Sequence, residues 1–399
     1  MQTVLITGAA SGIGRDTARL FAANGWQCVL VDRNAEALHA LVQELPGPAH
    51  VPRAIDLTDA AQVASLAEGT PSLDAMLNNA GMSDSSNTPL AEQSPQHAGR
   101  LLALNLAAPA AVVDACSALL KPGARIVNVA SGAGLNAIPF RGLYSPSKAG
   151  LIAQSRALAR ARPEWCVTVL CPGFVRTELV DGLIAAGRIH PERAVAKIPL
   201  GRMAAPAEMA QALYFLASAG AAPLGGQVLA VNGGSSIYGG SQAFAPATLQ
   251  VLPLGLPTRL EIVGGESAAW QGVAPERTAT PGYAACLDAS ALHGRPGEQL
   301  QAVHEAAIRF AAGHEKQASL TLLLPPDAAG RWQDAGDAAA ARMLVSTLAC
   351  EWGARALRIN ALEVPPDTDP QSLHSLLRFV CGAGAQYVTG QTLVCRSPA

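Results

Sequence analysis

The chain has 399 residues, half of them hydrophobic and 15% charged, with 28 Lys and Arg against 30 Asp and Glu. That composition excludes a disordered chain, and at roughly 100–200 residues per domain the length predicts two or three domains. A net charge of -2 with no basic patch argues against nucleic acid as a partner. No run reaches the roughly 18 apolar residues that a membrane span needs. The opening MQTVLITGAASG lacks the basic and apolar regions of a secretion signal. The 8 cysteines are scattered, without CxxC or neighbouring His pairs. That pattern predicts idle thiols of a cytoplasmic protein and no metal site.

In chain order, Thr3–Ile6 is a short apolar run that predicts a first strand. The turn Thr7-Gly8-Ala9-Ala10-Ser11-Gly12-Ile13-Gly14 follows, then a helix from Arg15 to Asn24 that Gly25 closes. Cys28–Val31 predicts a second strand ending at Asp32. Ala49–Ile55, Ala75–Leu77, Arg125–Val129, Val167–Leu170 and Val228–Val231 predict further strands, most of them separated by helical stretches. This alternation implies βαβ units and a parallel, doubly wound, Rossmann-like α/β sheet. Residues 235–258, rich in Ser, Gly and Pro, predict a linker between a domain at 1–234 and another at 259–399.

The second domain reads as a shortened α/β domain of the same type. Strands are predicted at Arg259–Val263, Ser319–Leu324, Arg358–Leu362 and Gln391–Cys395, with a helix at Ala338–Trp352. Leu216–Leu229 aligns without gaps to Val380–Leu393, and Leu158-Ala159 falls on Leu348-Ala349 in matching helices. Each helix leads to a strand that ends at prolines, Pro172 and Pro365-Pro366. Together these features predict a duplication.

A glycine turn between a first strand and a first helix is a phosphate site. The glycines admit a pyrophosphate close to the backbone, and the helix N-terminus supplies N–H donors and partial positive charge. A carboxylate at Asp32 accepts hydrogen bonds from ribose hydroxyls and repels a 2′-phosphate, which favours NAD over NADP. Arg33 beside it pulls the other way. Tyr144-Ser145-Pro146-Ser147-Lys148 stacks Tyr and Lys one helical turn apart, near an N-terminus because Pro146 fits only a first turn. A tyrosine acting as base near neutral pH must have its pKa lowered from about 10 to about 7, which is worth about 4 kcal/mol. One ammonium about 4 Å away, at an effective dielectric of about 20, supplies that much.

With these residues in place, the chain resembles the short-chain dehydrogenase/reductases of the branch with a single catalytic domain. The resemblance covers residues 1–234 in order. It rests on TGAASGIG (7–14), Asp32, Asp56-Leu57, NNAG (78–81), Asn105, Ser131, YSPSK (144–148), CPGFVRT (171–177) and VNGG (231–234). It implies that Tyr144 exchanges a proton with the substrate oxygen and that Lys148 lowers its pKa and holds the nicotinamide ribose. Ser131 would hold the substrate oxygen, and Asn105 would fix a water that links Lys148 to solvent. Gly8, Ser11, Gly12, Ile13, Gly14, Asp32, Asp56, Leu57, Asn79 and Gly81 would line the adenosine and phosphate side. Pro172, Gly173, Val175 and Thr177 would embrace the nicotinamide, and Glu178 to Pro206 would form a lid.

The function expected is an oxidoreductase that moves a hydride between NAD(H) and a small secondary alcohol or ketone. One alternative is an NADPH-linked carbonyl reductase of the 3-oxoacyl type. Another is a non-enzymatic scaffold responsive to NAD. The resemblance also implies a homo-oligomer, a dimer or tetramer-like assembly, paired through the helices near 97–118 and 147–162. Residues 259–399 are expected to be a degenerate copy. Glu266 and Trp270 stand where the phosphate turn would be, Pro325-Pro326 where Ser131 would be, and Asp334 and Ala338 where Tyr144 and Lys148 would be.

Overall fold

A computed structural model describes residues 1–47, 49–84, 94–138, 140–240, 243–264, 270, 273, 282–292, 294–295, 297–326, 332–365 and 367–395, with backbone alone for 332–336. Two sheets organise it. The first has seven strands: β1 (Thr3–Thr7), β2 (Gln27–Asp32), β3 (Val51–Ala54), β4 (Leu73–Asn78), β5 (Leu120–Val129), β6 (Cys166–Pro172) and β7 (Val228–Val231). They lie in the order β3-β2-β1-β4-β5-β6-β7. β1 pairs parallel with both β2 and β4, Val4 with Cys28 on one side and with Ala75 on the other. The chain winds outward through β2 and β3, then returns to the far side of β1. This reversal opens a crevice beyond the carboxyl ends of β1 and β4. Every residue of β1 is buried, as a strand covered by helices on both faces must be.

The helices follow from their apolar faces and caps. α1 (Gly12–Ala23) buries Thr17, Ala18, Phe21 and Ala22. Phe21 meets Tyr214 of α9 (Pro206–Leu216) edge to face at 5.0 Å. α2 (Ala35–Glu44) starts at Asn34, whose side chain accepts from the Ala37 N–H, and α3 (Ala60–Ala64) starts at Asp59, which caps it likewise. α4 (Pro95–Leu102) and α5 (Ala108–Cys116) are joined by a π-helical turn at Ala103–Ala107. By length and composition the stretch Pro95–Leu119 is apolar enough to cross a membrane, although Arg100, Asn105 and Asp114 interrupt it, so no unbroken run of 18 apolar residues is present there. Its apolar character has a local cause: Val112, Val113 and Cys116 are buried in the core with Leu5, Met76 and Ile126. α6 (Tyr144–Ala161), α7 (Glu178–Ala185) and α8 (Pro191–Val195) complete this series.

By backbone contacts the chain forms two compact units. The first is Met1–Ile189 with Ala205–Ala219 and Gly225–Val228; the second is His190–Ala204, Gly220–Leu224 and Leu229–Ala399. Within the second, Gly353 comes so close to residue 199 that a Cβ there would lie 1.9 Å from the Pro199 carbonyl oxygen. The Tyr387 hydroxyl donates to the Arg202 carbonyl at 2.7 Å, and the Gly233 N–H donates to the Tyr387 carbonyl at 3.1 Å. The stretch 243–257 has no helix or strand among its described residues, and its Ala247 N–H donates to the Gly201 carbonyl at 2.7 Å.

The second sheet has five parallel strands: β8 (Thr258–Val263), β9 (Tyr283–Asp288), β10 (Ala318–Leu324), β11 (Arg358–Glu363) and β12 (Thr392–Val394), lying in chain order. Helices at Gln299–Gly313, Trp332–Trp352 and His374–Cys381 connect them. β9 and the helix Gln299–Gly313 are absent from the sequence-based expectation. Tyr283-Ala284-Ala285-Cys286-Leu287 has no period-two alternation because the strand is sandwiched between two neighbours and buried throughout its carboxyl half.

Arg358 holds this second unit together at its centre. Its side chain is buried, and its guanidinium donates to the Tyr283 hydroxyl at 2.9 Å and to the carbonyls of Val388 at 3.0 Å, Gly382 at 3.0 Å and Val380 at 3.2 Å. The five donors of a guanidinium suit such a cage; the Val388 and Gly382 carbonyls keep a second donor each, from Asn360 and the Ala385 N–H, but every acceptor loses a charged one if the side chain goes. Arg358→Ala should therefore destabilise the protein by about 3 kcal/mol, read as a lowered midpoint of urea unfolding. A loss under about 1 kcal/mol would mean that water replaces the guanidinium without cost.

Candidate functional site

The glycine turn joins β1 to α1 at the crevice. Gly8 has φ +66°, and a Cβ there would lie 2.8 Å from the Ala80 Cα. A Cβ on Gly14 would stand 2.0 Å from the Gly8 carbonyl oxygen, so α1 starts directly against the turn. The turn is tied to the segment that leaves β4. The Thr7 hydroxyl oxygen accepts from the N–H groups of Asn79 and Ala80, both at 3.0 Å. The Asn79 side-chain amide donates to the carbonyls of Thr7 at 3.0 Å and Gly8 at 3.2 Å. Ser11 sits at the N-cap of α1 and makes no side-chain capping bond.

Asp32 closes β2 beside this turn. Its carboxylate accepts from the Ala10 N–H at 3.1 Å and from the Asn34 N–H at 3.1 Å, so two backbone donors aim it at the turn. Arg33 is exposed. Asp56 accepts from the Thr58 hydroxyl at 2.7 Å, which with the Thr58 N–H holds its carboxyl below the usual range. Leu57 beside it is buried.

The proton-handling residues assemble on the other side of the crevice. Tyr144 and Lys148 occupy the first turns of α6, where Pro146 is tolerated. Ser131 follows β5 and lies near enough to the Tyr144 phenol to lower its pKa, while its own oxygen accepts from the Ala133 N–H at 3.1 Å. Lys148 is buried, and its ammonium donates to the Val129 carbonyl at 3.0 Å. Asn105 lies in the π-helical turn, fully buried. Its side chain accepts from the Met82 N–H at 2.9 Å and donates to the Met82 carbonyl at 2.8 Å and to the Ser147 hydroxyl at 3.3 Å. Gly81 lies between: a Cβ there would be 3.2 Å from both the Asn105 Oδ1 and the Lys148 Nζ. π-helical turns of this kind recur at functional sites because they re-aim one side chain within a helix.

The third side is the segment after β6. Pro172 and Val175 are buried, Gly173 is half-buried, and Thr177 caps α7 by accepting from the Val180 N–H at 3.4 Å. The Thr177 methyl is 3.2 Å from the point a Gly12 Cβ would occupy, which brings this segment onto the glycine turn.

The electrostatics correct one expectation. Burial pushes the Tyr144 phenol above its usual pKa, and the counteracting influences are the Ser131 hydrogen bond and the Arg141 guanidinium. Lys148 does not appear among them, because burial lowers its own pKa to about 8. Arg141 lies three residues before Tyr144. Its guanidinium donates to the Asp84 carbonyl at 3.0 Å. Sequence reading also missed Ser147, whose hydroxyl donates to the Tyr144 carbonyl at 2.8 Å while accepting from Asn105. It missed the buried chain in which Asn78 donates to Asn128 and Asn128 to the Ser155 hydroxyl, each at 2.8 Å. Three polar side chains inside apolar runs were the available signal.

In the second unit, Gly264 after β8 has φ +76°, and a Cβ there would collide with Ser290, the second residue after β9. Gly8 meets Ala80, the second residue after β4, in the same way. Ala338 is buried and Trp270 is buried. Glu266 and the Asp334 side chain lie outside the described residues. Among the described residues no group of three or more His, Cys, Asp or Glu is placed to hold a metal, and all eight cysteines are free.

Comparison with known proteins bears on this constellation. The family described as Enoyl-(Acyl carrier protein) reductase, a short-chain dehydrogenase/reductase family, matches residues 8–236. A Sinorhizobium fredii protein named uncharacterized short-chain type dehydrogenase/reductase y4vI is 39% identical over 242 residues, spanning 58% of this chain and 43% of that protein. The 3-oxoacyl-[acyl-carrier-protein] reductase FabG of Thermotoga maritima is 33% identical over 58% of this chain and 96% of its own length. The crystal structure of an oxidoreductase of the short-chain dehydrogenase/reductase family from Burkholderia thailandensis has a TM-score of 0.54 and 34% identity, covering 59% of this chain and 92% of that one.

The buried Lys148 yields a prediction with a definite sign. Its folded pKa, about 8, lies below the ordinary 10.5, so the unfolded chain holds more protons between these values. Stability from this group therefore rises with pH through that window. Relative to Lys148→Met, the wild-type protein should gain about 3 kcal/mol between pH 8 and 10.5, measured by chemical denaturation at each pH. A flat difference would show that the ammonium is solvated in the folded state.

Proposed function

The chain belongs to the short-chain dehydrogenase/reductase family, and from that premise we propose that it transfers a hydride between NAD(H) and a small secondary alcohol or ketone. The observation that carries the reading is the convergence of Tyr144, Ser131, Lys148 and Asn105 on one crevice, from α6, β5 and the π-helical turn. A nicotinamide dinucleotide fits the opposite side. Gly8 and Gly14 leave no room for side chains where phosphates approach the backbone, and Asp32 presents a carboxylate where ribose hydroxyls would lie. When bound, the nicotinamide supplies or accepts the hydride.

The protein's own residues do the rest. Tyr144 holds a proton at Oη and passes it to, or takes it from, the substrate oxygen. The raised pKa keeps that proton in place at neutral pH, which suits an acid in carbonyl reduction. Ser131, beside the phenol, hydrogen-bonds the substrate oxygen and so stabilises charge as it develops. Lys148, cationic below about pH 8, is anchored on the Val129 carbonyl one turn from Tyr144, and Asn105 with Ser147 fixes the helix that carries both. Asp32 favours NAD. Likeness to FabG and the neighbouring Arg33 support a second reading, an NADPH-linked reductase of 3-oxoacyl substrates. On either reading we propose a cytoplasmic enzyme that pairs with further copies of itself through α5 and α6.

We propose further that residues 259–399 are a degenerate copy without the second and third strands. The strand order β8-β9-β10-β11-β12 corresponds to β1-β4-β5-β6-β7. Backbone hydrogen bonds repeat in step: Gly226 N–H to Val167 and Val169 N–H to Gln227 in one sheet, Gly390 N–H to Ile359 and Ala361 N–H to Gln391 in the other. The gapless alignment of Leu216–Leu229 to Val380–Leu393 pairs Gly226 with Gly390 and Gln227 with Gln391.

Equilibrium titration should give one NADH site per chain; two sites would contradict a copy that has lost its phosphate turn. NADH should bind at least about tenfold more tightly than NADPH, and the reverse order would favour the second reading. Tyr144→Phe should lower turnover about 10³-fold with NADH affinity unchanged. Full turnover in that variant would remove Tyr144 as the proton donor.

A further inference from the structure

The segment leaving β6 brings a carboxylate onto the start of α1. One oxygen of Glu178 accepts from the Gly12 N–H at 3.2 Å, and the other pairs with the Arg15 guanidinium. Gly12 is the first residue of α1, at the positive end of the helix, and Arg15 lies one turn on. Ser11, the residue placed to cap this end, makes no side-chain bond to it. The carboxylate of a residue far away in sequence therefore does part of what an N-cap side chain would do. The Glu178 backbone N–H, followed by Arg15 and the Gly12 N–H, holds the Glu178 carboxyl below the usual range, so it is anionic at neutral pH. Glu178 is also the first residue of α7, directly after the capping Thr177.

We infer that Glu178 sets dinucleotide affinity by competing with the phosphates for the Gly12 N–H and the Arg15 guanidinium. This rests on the reading above, in which the pyrophosphate lies at the glycine turn. A phosphate arriving there meets a donor and a cation already engaged by a negative charge of the chain itself. Entry displaces the carboxylate, and because Glu178 begins α7, displacement also unlatches that helix from the turn. Affinity is thus lower than the turn alone would give, and the loss is a local charge effect that salt screens.

The test measures binding of NADH by fluorescence and of inorganic pyrophosphate and adenosine by calorimetry. The proteins are the wild type, Glu178→Gln, Glu178→Ala and Arg15→Gln, with unfolding midpoints confirming an intact fold. Removing the charge at Glu178 should tighten NADH and pyrophosphate about fivefold at low salt and leave adenosine, which has no phosphate, unchanged. The gain should shrink when Arg15→Gln is present in the same chain, because the released cation is then missing. Unchanged or weaker NADH and pyrophosphate binding in both Glu178 variants would overturn the inference and make the carboxylate a latch that helps the ligand. A wild-type protein that binds pyrophosphate but neither NADH nor NADPH would remove the dinucleotide reading. The Glu178 inference would then be decided by the pyrophosphate arm alone.

Discussion

Everything at the crevice depends on how closely the chain can fold back where β1 meets α1. The Gly8 carbonyl oxygen sits where any side chain at Gly14 would begin, and the Thr7 hydroxyl takes two N–H groups from the exit of β4. Close backbone approach of this kind is open only to glycine, and it places the first turn of α1 at the reversal of strand order. Once that turn is set, Asp32 and Asn79 are drawn to it by backbone hydrogen bonds, and Thr177 reaches it from the opposite side. Binding geometry here is a property of the main chain, with side chains trimming its edges.

The proton-handling side obeys a different constraint, the cost of placing ionisable groups away from water. Burial raises the Tyr144 phenol and lowers Lys148, so each is driven toward its neutral form. The Lys148 hydrogen bond to the Val129 carbonyl and the influence of Ser131 on the phenol partly offset that cost. The ordinary proton affinities of Tyr144 and Lys148 are nearly equal, and burial moves them apart, so at neutral pH the proton stays on the phenol. In the nearby polar chain Asn78 donates to Asn128 and Asn128 to Ser155, while the buried Asn78 Oδ1 has no partner among the described residues.

Much of this was legible in the residues. The first sheet, the glycine turn and the pair Tyr144–Lys148 rest on local patterns: apolar runs, glycine spacing and one helical turn. β9 was not legible, because a strand with a neighbour on each side has no alternation, and Tyr283–Asp288 contains two alanines with little strand preference. The direction of the Tyr144 pKa was misread for a related reason. A charge–charge estimate from spacing includes the ammonium but omits desolvation, and burial turns out larger. The contact of Glu178 with Gly12 joins residues 166 apart, and no local pattern encodes such a meeting.

The partition of the chain into its two units has a consequence for biosynthesis. Residues 190–204 belong to the second unit, while 205–219 and 225–228 belong to the first. A ribosome therefore delivers the two bodies interleaved. The segment holding Ile198 and Leu200 emerges long before Gly353 and Tyr387, the residues it packs against. Gly233 meets this segment early, but the part of its surface that Gly353 and Tyr387 cover stays open through the synthesis of roughly 150 further residues, at about 5–20 residues per second. A chain split or fused within residues 243–257 would therefore be cut inside the second unit, which includes Leu229–Ala399.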